Sequence, residues 1–79
     1  MKFVIEVMPR QEALDPQGRA VQSALSRLGF QITDCRVGKS IILELKDVTD
    51  KKLGMKQVTE MALKVLANPL IETFEVREL

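Results

Sequence analysis

Near its amino terminus the chain carries Phe3-Val4-Ile5-Glu6-Val7-Met8, and these six residues decide the fold class. Successive side chains of a strand point to opposite faces of a sheet, so the run predicts a strand over residues 3–8. One face would be fully apolar and the other half apolar: Phe3, Ile5 and Val7 against Val4, Glu6 and Met8. Pro9 is expected to close this strand because it cannot donate to the backbone ladder.

A first helix is predicted after this strand. Asp15 can cap the free amides at a helix start, and Pro16 needs no hydrogen-bond donor in the first turn, so we expect the helix to begin at Pro16. Gly29 is typical of the position just past a helix end. Between them, apolar residues recur at i, i+3, i+4 and i+7 and form one stripe: Val21, Ala24, Leu25 and Leu28.

Two further strands are predicted next, over residues 30–37 and 40–48, joined by a tight turn at Gly38-Lys39. The apolar positions shift phase between Ile32 and Cys35, which indicates a bulge or a bend in the first of them. In the second, Ile42 lies on the face opposite to the core.

A second helix, capped by Thr49 or Asp50, is expected to run to about Ala67 and to end at Asn68-Pro69. A last strand is predicted over residues 70–76. The apolar side of this helix is wider than one sheet face requires, so part of it is expected to contact another surface. That side comprises Met55, Val58, Met61, Ala62, Val65 and Leu66, with Leu63 at its edge.

The element order is therefore β-α-β-β-α-β. It predicts an α+β, ferredoxin-like domain over residues 1–79, with an antiparallel sheet and two helices on one face. The other face would expose Val4, Met8 and Ile42. An apolar area of this kind is one that a dimer would bury, so we expect self-association.

Composition limits the functions available. A chain of 79 residues holds one core, the single Cys35 excludes an internal disulfide, and there is no His. A small core without such supports indicates stabilisation by partner chains. The net charge of +1 offers no field for nucleic acid or a membrane surface. No apolar run resembles a signal peptide or a membrane span, so we expect a cytoplasmic protein.

The sequence predicts no catalytic residue and no metal site. Without His, neither a Ser-His-Asp nor a Cys-His arrangement can form, and Cys35 is expected to be an ordinary buried strand residue. Gly38-Lys39-Ser40 imitates the end of a phosphate-binding loop but leads into a strand, so a turn explains it better. Asp47 and Asp50 lack a third carboxylate and are interpreted as helix-capping residues.

Three segments together resemble the PurS family, in the expected order and across nearly the whole chain. They are Leu14-Asp15-Pro16-Gln17-Gly18-Arg19-Ala20-Val21, Arg36-Val37-Gly38-Lys39, and Leu66-Ala67-Asn68-Pro69-Leu70-Ile71-Glu72.

This resemblance implies a small subunit of phosphoribosylformylglycinamidine synthase, which converts formylglycinamide ribonucleotide to its amidine in purine biosynthesis. The resemblance assigns glutamine, ATP and magnesium to the complex and no cofactor to the small chain. That chain is expected to be non-catalytic and dimeric, with tetramers left open. It would bridge the glutaminase and synthetase subunits and aid ammonia transfer.

Seven residues match the family's motif positions and are expected near partner interfaces: Asp15, Gly18, Arg36, Gly38, Lys39, Asn68 and Pro69. Helix capping or tight packing also explains Asp15, Gly18, Asn68 and Pro69 without any partner. Arg36 and Lys39 are not required by a turn, so they either contact carboxylates of a partner or serve solubility.

Two other classes of function stay open at this stage. One is a free-standing ferredoxin-like regulatory module that binds a small ligand at a dimer interface. The other is a small enzyme acting alone, which turnover of glutamine or ATP by the purified chain would reveal.

Overall fold

The computed structural model describes all 79 residues. The chain folds into three strands and two helices in an α+β arrangement. In chain order these are β1 (Lys2–Pro9), α1 (Pro16–Arg27), β2 (Lys39–Glu44), α2 (Lys51–Met61) and β3 (Glu72–Glu78), and a π-helical segment, Ala62–Leu66, extends α2. The strands form one antiparallel sheet in the order β2-β1-β3. The predicted α+β class, antiparallel sheet and two helices are confirmed.

The hydrophobic core lies between one face of the sheet and α2. The central strand β1 contributes Phe3, Ile5 and Val7, each at most 1% exposed. Antiparallel register places residues of the two outer strands beside them, for example Leu43 opposite Phe3 and Val76 opposite Ile5. From the helical side the core receives Val58, Ala62 and Ala67.

A glycine in α2 lets this helix approach the sheet. A Cβ atom at Gly54 would lie 2.6 Å from Cζ and 2.8 Å from Cε2 of Phe3, distances that real Cβ contacts do not show. The Phe3 ring therefore fills the space where a side chain at position 54 would stand. Close packing of this kind leaves no room for an extra methyl group without displacement.

The predicted strand over residues 30–37 is wrong, because this segment pairs with no strand. It adds neither to the outer edge of β2 nor to that of β3. Backbone groups of the segment are bonded to a side chain of α1 and to that of its N-cap residue instead. Gln22 Nε2 donates to the Ile32 carbonyl at 2.9 Å, and the Val37 amide donates to Asp15 at 2.9 Å. No hairpin turn forms at Gly38-Lys39, and Lys39 is the first residue of β2.

The other ends of the helices and strands lie at capping and turn residues. The start of α1 at Pro16 and the cap at Asp50 are confirmed. The strand predicted over residues 40–48 ends early, at Glu44, and the turn that follows holds Asp47 at φ 60°. The last strand begins later than predicted because Asn68 binds the backbone of the residues that follow it.

Helix α1 contributes no residue to the core, and Gly18 is its only buried residue. Of its predicted apolar stripe, Leu28 is 75% exposed and Val21 40% exposed. On the outer face of the sheet Ile42 is 64% exposed, as predicted. Val4 is instead 4% exposed, because its cross-strand neighbours Ile42 and Arg77 flank it on both sides.

The chain is consequently extended, with principal dimensions of 49 × 24 × 14 Å and a radius of gyration of 15.7 Å. A compact domain of this length has a radius of gyration of about 12 Å. Its accessible surface is 6053 Å², whereas a compact monomer of the same mass exposes about 4,800 Å². None of its helices is long and apolar enough to cross a membrane.

The packing of Gly54 on Phe3 predicts that Gly54→Ala destabilises the protein, although alanine is the better helix former by about 1 kcal/mol. We expect a net loss of roughly 1–3 kcal/mol in the free energy of unfolding, because the methyl group overlaps the ring. Urea denaturation followed by circular dichroism measures this. In a Phe3→Leu background the penalty of Gly54→Ala should shrink; an equal penalty in both backgrounds would contradict the contact.

Candidate functional site

The carboxyl end of β1 and the loop that follows it, residues 10–15, gather six of the seven residues singled out in the sequence. Five of them are tied to this region by contacts described below: Asp15, Gly18, Arg36, Gly38 and Pro69. The sixth, Asn68, directly precedes Pro69 in the chain. The seventh residue, Lys39, pairs with Val7 in the sheet, and its side chain makes no hydrogen bond. The segments that carry the motifs are distant in sequence, and the sheet topology brings them together.

Asp15 joins α1 to the segment before β2. One carboxylate oxygen accepts from the Gly18 amide at 3.0 Å and caps the helix, and the other accepts from the Val37 amide at 2.9 Å. These two bonds, with a smaller contribution from Arg36, hold the pKa of Asp15 below its ordinary value against the opposing effect of burial. The capping role is confirmed, and a second role, fastening residue 37, was not predicted.

Gly18 and Gly38 are required by close backbone approach. A Cβ atom at Gly18 would collide with the Asp15 carboxylate and with the carbonyl of Cys35. A Cβ atom at Gly38 would collide with the carbonyl of Val7 and the sulfur of Met8. Packing within the chain therefore accounts for both glycines.

Asn68 and Pro69 build the turn between the π-helical segment and β3. The Asn68 side-chain oxygen accepts from the Leu70 amide at 3.1 Å, and its carbonyl accepts from the Glu72 amide at 2.7 Å. The Pro69 carbonyl accepts two bonds from Arg10, from Nε at 3.1 Å and Nη2 at 2.9 Å. Arg10 thereby fastens this turn to the end of β1.

Arg36 and Lys39 differ in how far they are engaged. Arg36 donates from Nη1 to the Pro9 carbonyl at 3.1 Å, and its Nε lies 4.0 Å from the Asp34 carboxylate. Lys39 is exposed at the start of β2 and makes neither a hydrogen bond nor an ion pair through its side chain. Among the three charged residues of the seven, Lys39 is the one whose side chain makes no hydrogen bond or ion pair.

A polar cavity of about 360 Å³ lies in this region, lined by three arginines, two aspartates and two glutamines among others. Sequence reasoning found Asp15 and Arg36 but missed Arg10 and Arg19, because no local pattern links arginines so far apart. Cys35, predicted as a buried strand residue, is half-buried in a loop and lines the same cavity. Nowhere in the chain do three or more Cys, Asp or Glu side chains group in a way that could hold a metal ion.

The family model described as "PurS: Phosphoribosylformylglycinamidine (FGAM) synthase" matches residues 2–78. The chain belongs to the PurS family. The PurS subunit of Mycobacterium leprae is 45% identical over 77 residues, covering 95% of this chain and 91% of the relative. Membership of this family makes the chain a subunit of phosphoribosylformylglycinamidine synthase in purine biosynthesis.

Solved PurS structures share the fold. The PurS subunit of Thermotoga maritima superposes with a TM-score of 0.88 at 35% identity, covering 99% of this chain and 90% of that one. A chain of the PurLQS structure from Thermotoga maritima gives a TM-score of 0.87, also at 35% identity, covering 99% of this chain and 95% of that one. The arrangement of three strands and two helices described above is thus the PurS fold.

The Asp15 bonds predict a specific pH dependence for this PurS chain. Because the folded-state pKa of Asp15 is lowered, its carboxylate stabilises the fold above the unfolded value near 3.8, and the contribution is lost as the pH falls through the folded pKa. Asp15→Asn should unfold at a lower temperature than wild type at neutral pH. It should also lose less stability on acidification below pH 4. Thermal melts across acidic pH measure both effects.

Asp47→Asn is the matched control, since it removes one carboxylate at an exposed loop position outside the site. It should retain the wild-type response to acid. If Asp15→Asn and wild type lost stability in parallel as the pH falls, the role given to Asp15 would be wrong.

Proposed function

We propose that this chain acts as a non-catalytic bridging subunit that dimerises and joins the glutaminase and synthetase subunits of phosphoribosylformylglycinamidine synthase. In this role it aids the transfer of ammonia between them. It holds no cofactor of its own, while glutamine, ATP and magnesium are used by the larger subunits. The proposal includes a cytoplasmic location, and it leaves room for dimers that pair into tetramers.

The observation that carries the proposal is the surface that one chain leaves uncovered. Its accessible surface of 6053 Å² exceeds that of a compact monomer by about 1,200 Å². Each partner in a stable protein interface of standard size buries about 800 Å². The excess is therefore large enough to supply an interface with one further chain and part of another.

The uncovered surface is apolar at three places. The first is the apolar stripe of α1, and the second is the outer sheet face around Ile42. The third is the exposed side of the π-helical segment that extends α2, where Val65 is 80% exposed. The second helix was predicted to present more apolar surface than its own sheet can cover, and Val65 fits that expectation. Three separate patches suit a subunit that contacts a second copy and other proteins.

The bridging role is supported by likeness to the PurS chain of the PurLQS structure from Thermotoga maritima. Among the motif residues, Arg36 and Lys39 remain the best candidates for partner contacts. Capping, turn formation or close packing within the chain explains the other five. The comparisons favour this role over a free-standing regulatory module.

The exposed α1 stripe predicts that Val21→Glu weakens self-association by roughly 100-fold or more, because burying an unpaired carboxylate in an apolar contact costs several kcal/mol. Sedimentation velocity over a range of protein concentrations measures this effect. Ser23→Glu is the matched control, two residues away on the opposite side of the helix, and it should associate like wild type. Equal association of all three proteins would refute an α1 interface.

If Arg36 and Lys39 contact a partner, removing their charges should weaken assembly with the larger subunits. The double variant Arg36→Ala/Lys39→Ala should co-elute less with the synthetase subunit, with affinity lowered roughly tenfold or more by the loss of charged contacts. The double variant Arg27→Ala/Lys46→Ala removes the same charges elsewhere and should assemble normally. Unchanged assembly of the first variant would exclude Arg36 and Lys39 from the interface.

A further inference from the structure

We propose that the polar cavity beyond β1 binds an oxyanion group, a carboxylate or a phosphate, through the guanidinium groups of Arg10, Arg19 and Arg36. The site belongs to the chain itself and does not depend on the bridging role proposed above. All three arginines line one cavity of about 360 Å³. A space of this size admits a small anion or the acidic end of a larger molecule.

The three arginines line this cavity from separate parts of the fold. Arg10 follows β1, Arg19 lies in the second turn of α1, and Arg36 lies in the segment before β2. Their positions are linked, because Asp15 bonds both α1 and Val37. The scaffold thus holds three cations of like charge around one space, an arrangement that is unfavourable unless something compensates the charge.

Most of the donor capacity of these arginines is unused. A guanidinium group has five N–H donors. Arg10 spends two of them on the Pro69 carbonyl, and Arg36 spends one on the Pro9 carbonyl. Arg19 makes no side-chain hydrogen bond or ion pair, so its whole fork is free. Arg10 and Arg36 are thus held in place by backbone carbonyls, whereas the side chain of Arg19 is free to move toward a ligand.

The two acidic residues of the cavity, Asp15 and Asp34, neutralise the three arginines only in part. Both oxygens of Asp15 accept bonds from backbone amides, those of Gly18 and Val37. Asp34 approaches Arg36 only to 4.0 Å, and its side chain is 71% exposed, so it is a weak partner. One net positive charge and many free donors remain for an incoming group.

Arginine forks match the geometry of oxyanions. A guanidinium group offers parallel N–H donors that bind carboxylate or phosphate oxygens in pairs, and such charge-assisted bonds are the strongest hydrogen bonds at protein surfaces. Gln11, which also lines the cavity, can add a neutral donor. The chemical class of the ligand is therefore a compact oxyanion, whether it is free or carried by a protein side chain.

The test uses the isolated full-length chain and inorganic phosphate as the probe. Nitrogen-15 labelled protein is titrated with phosphate at constant ionic strength, and the Nε–H resonances of the arginines are followed by nuclear magnetic resonance. Saturable shifts are expected for Arg10, Arg19 and Arg36. Arg19→Gln should weaken phosphate binding roughly tenfold or more, since it removes a charge-assisted contact.

Arg27→Gln is the matched control, because it removes one positive charge from the same helix outside the cavity. It should bind phosphate like wild type. The proposal is overturned if the shifts do not saturate and spread equally over all arginines, or if Arg19→Gln and Arg27→Gln have the same affinity as each other.

A second titration identifies the source of the oxyanion. The chain assembled with its larger subunits is titrated with phosphate. Loss of phosphate binding on assembly, with weaker assembly of Arg19→Gln, assigns the cavity to a partner carboxylate. Phosphate binding that survives assembly assigns it to a free anion. Either result supports the site, and because the first titration uses the isolated chain, failure of the bridging role would not be mistaken for failure of this site.

Discussion

The contact between β1 and α2 is the interaction on which the rest of the structure depends. Phe3, Ile5 and Val7 are almost fully buried against Val58 and Ala62, and Gly54 allows the helix to come close enough for this. Full burial of each such side chain stabilises the fold by roughly 1.5–3 kcal/mol. Because the whole core lies on this one side, α1 and the outer sheet face are left without a covering layer, and assembly with other chains follows.

Elements whose signals are local could be predicted from the sequence. Pro16 after Asp15 marks the start of α1, and alternation in residues 3–8 marks β1, because a cap or a strand face is determined by neighbouring residues. The strand predicted over residues 30–37 failed for a non-local reason. The segment adds to neither outer edge of the sheet, because Gln22 and Asp15 bind its backbone at Ile32 and Val37 instead.

In the candidate site, too, the roles set by neighbouring residues could be predicted, and those set by residues distant in sequence could not. Asp15 could be assigned its capping role from its position, and the structure shows that bond. Asn68 was expected to end a helix, and the structure shows its side chain bonded to the turn that follows. Arg10 could not be found, since its partner Pro69 lies 59 residues away along the chain. Gly54 was also missed: a glycine within a helix pattern gives no hint of the ring against which it packs. Knowledge of the sheet order is needed before either residue acquires a role.

The central claim is that a single chain does not complete its own packing. The most direct test is the dependence of the urea unfolding midpoint on protein concentration, measured with the isolated chain from about 1 to 100 μM. Folding linked to association makes stability depend on concentration. The account predicts a midpoint that rises steadily with concentration; a constant midpoint for a chain that stays folded as a monomer throughout would contradict it.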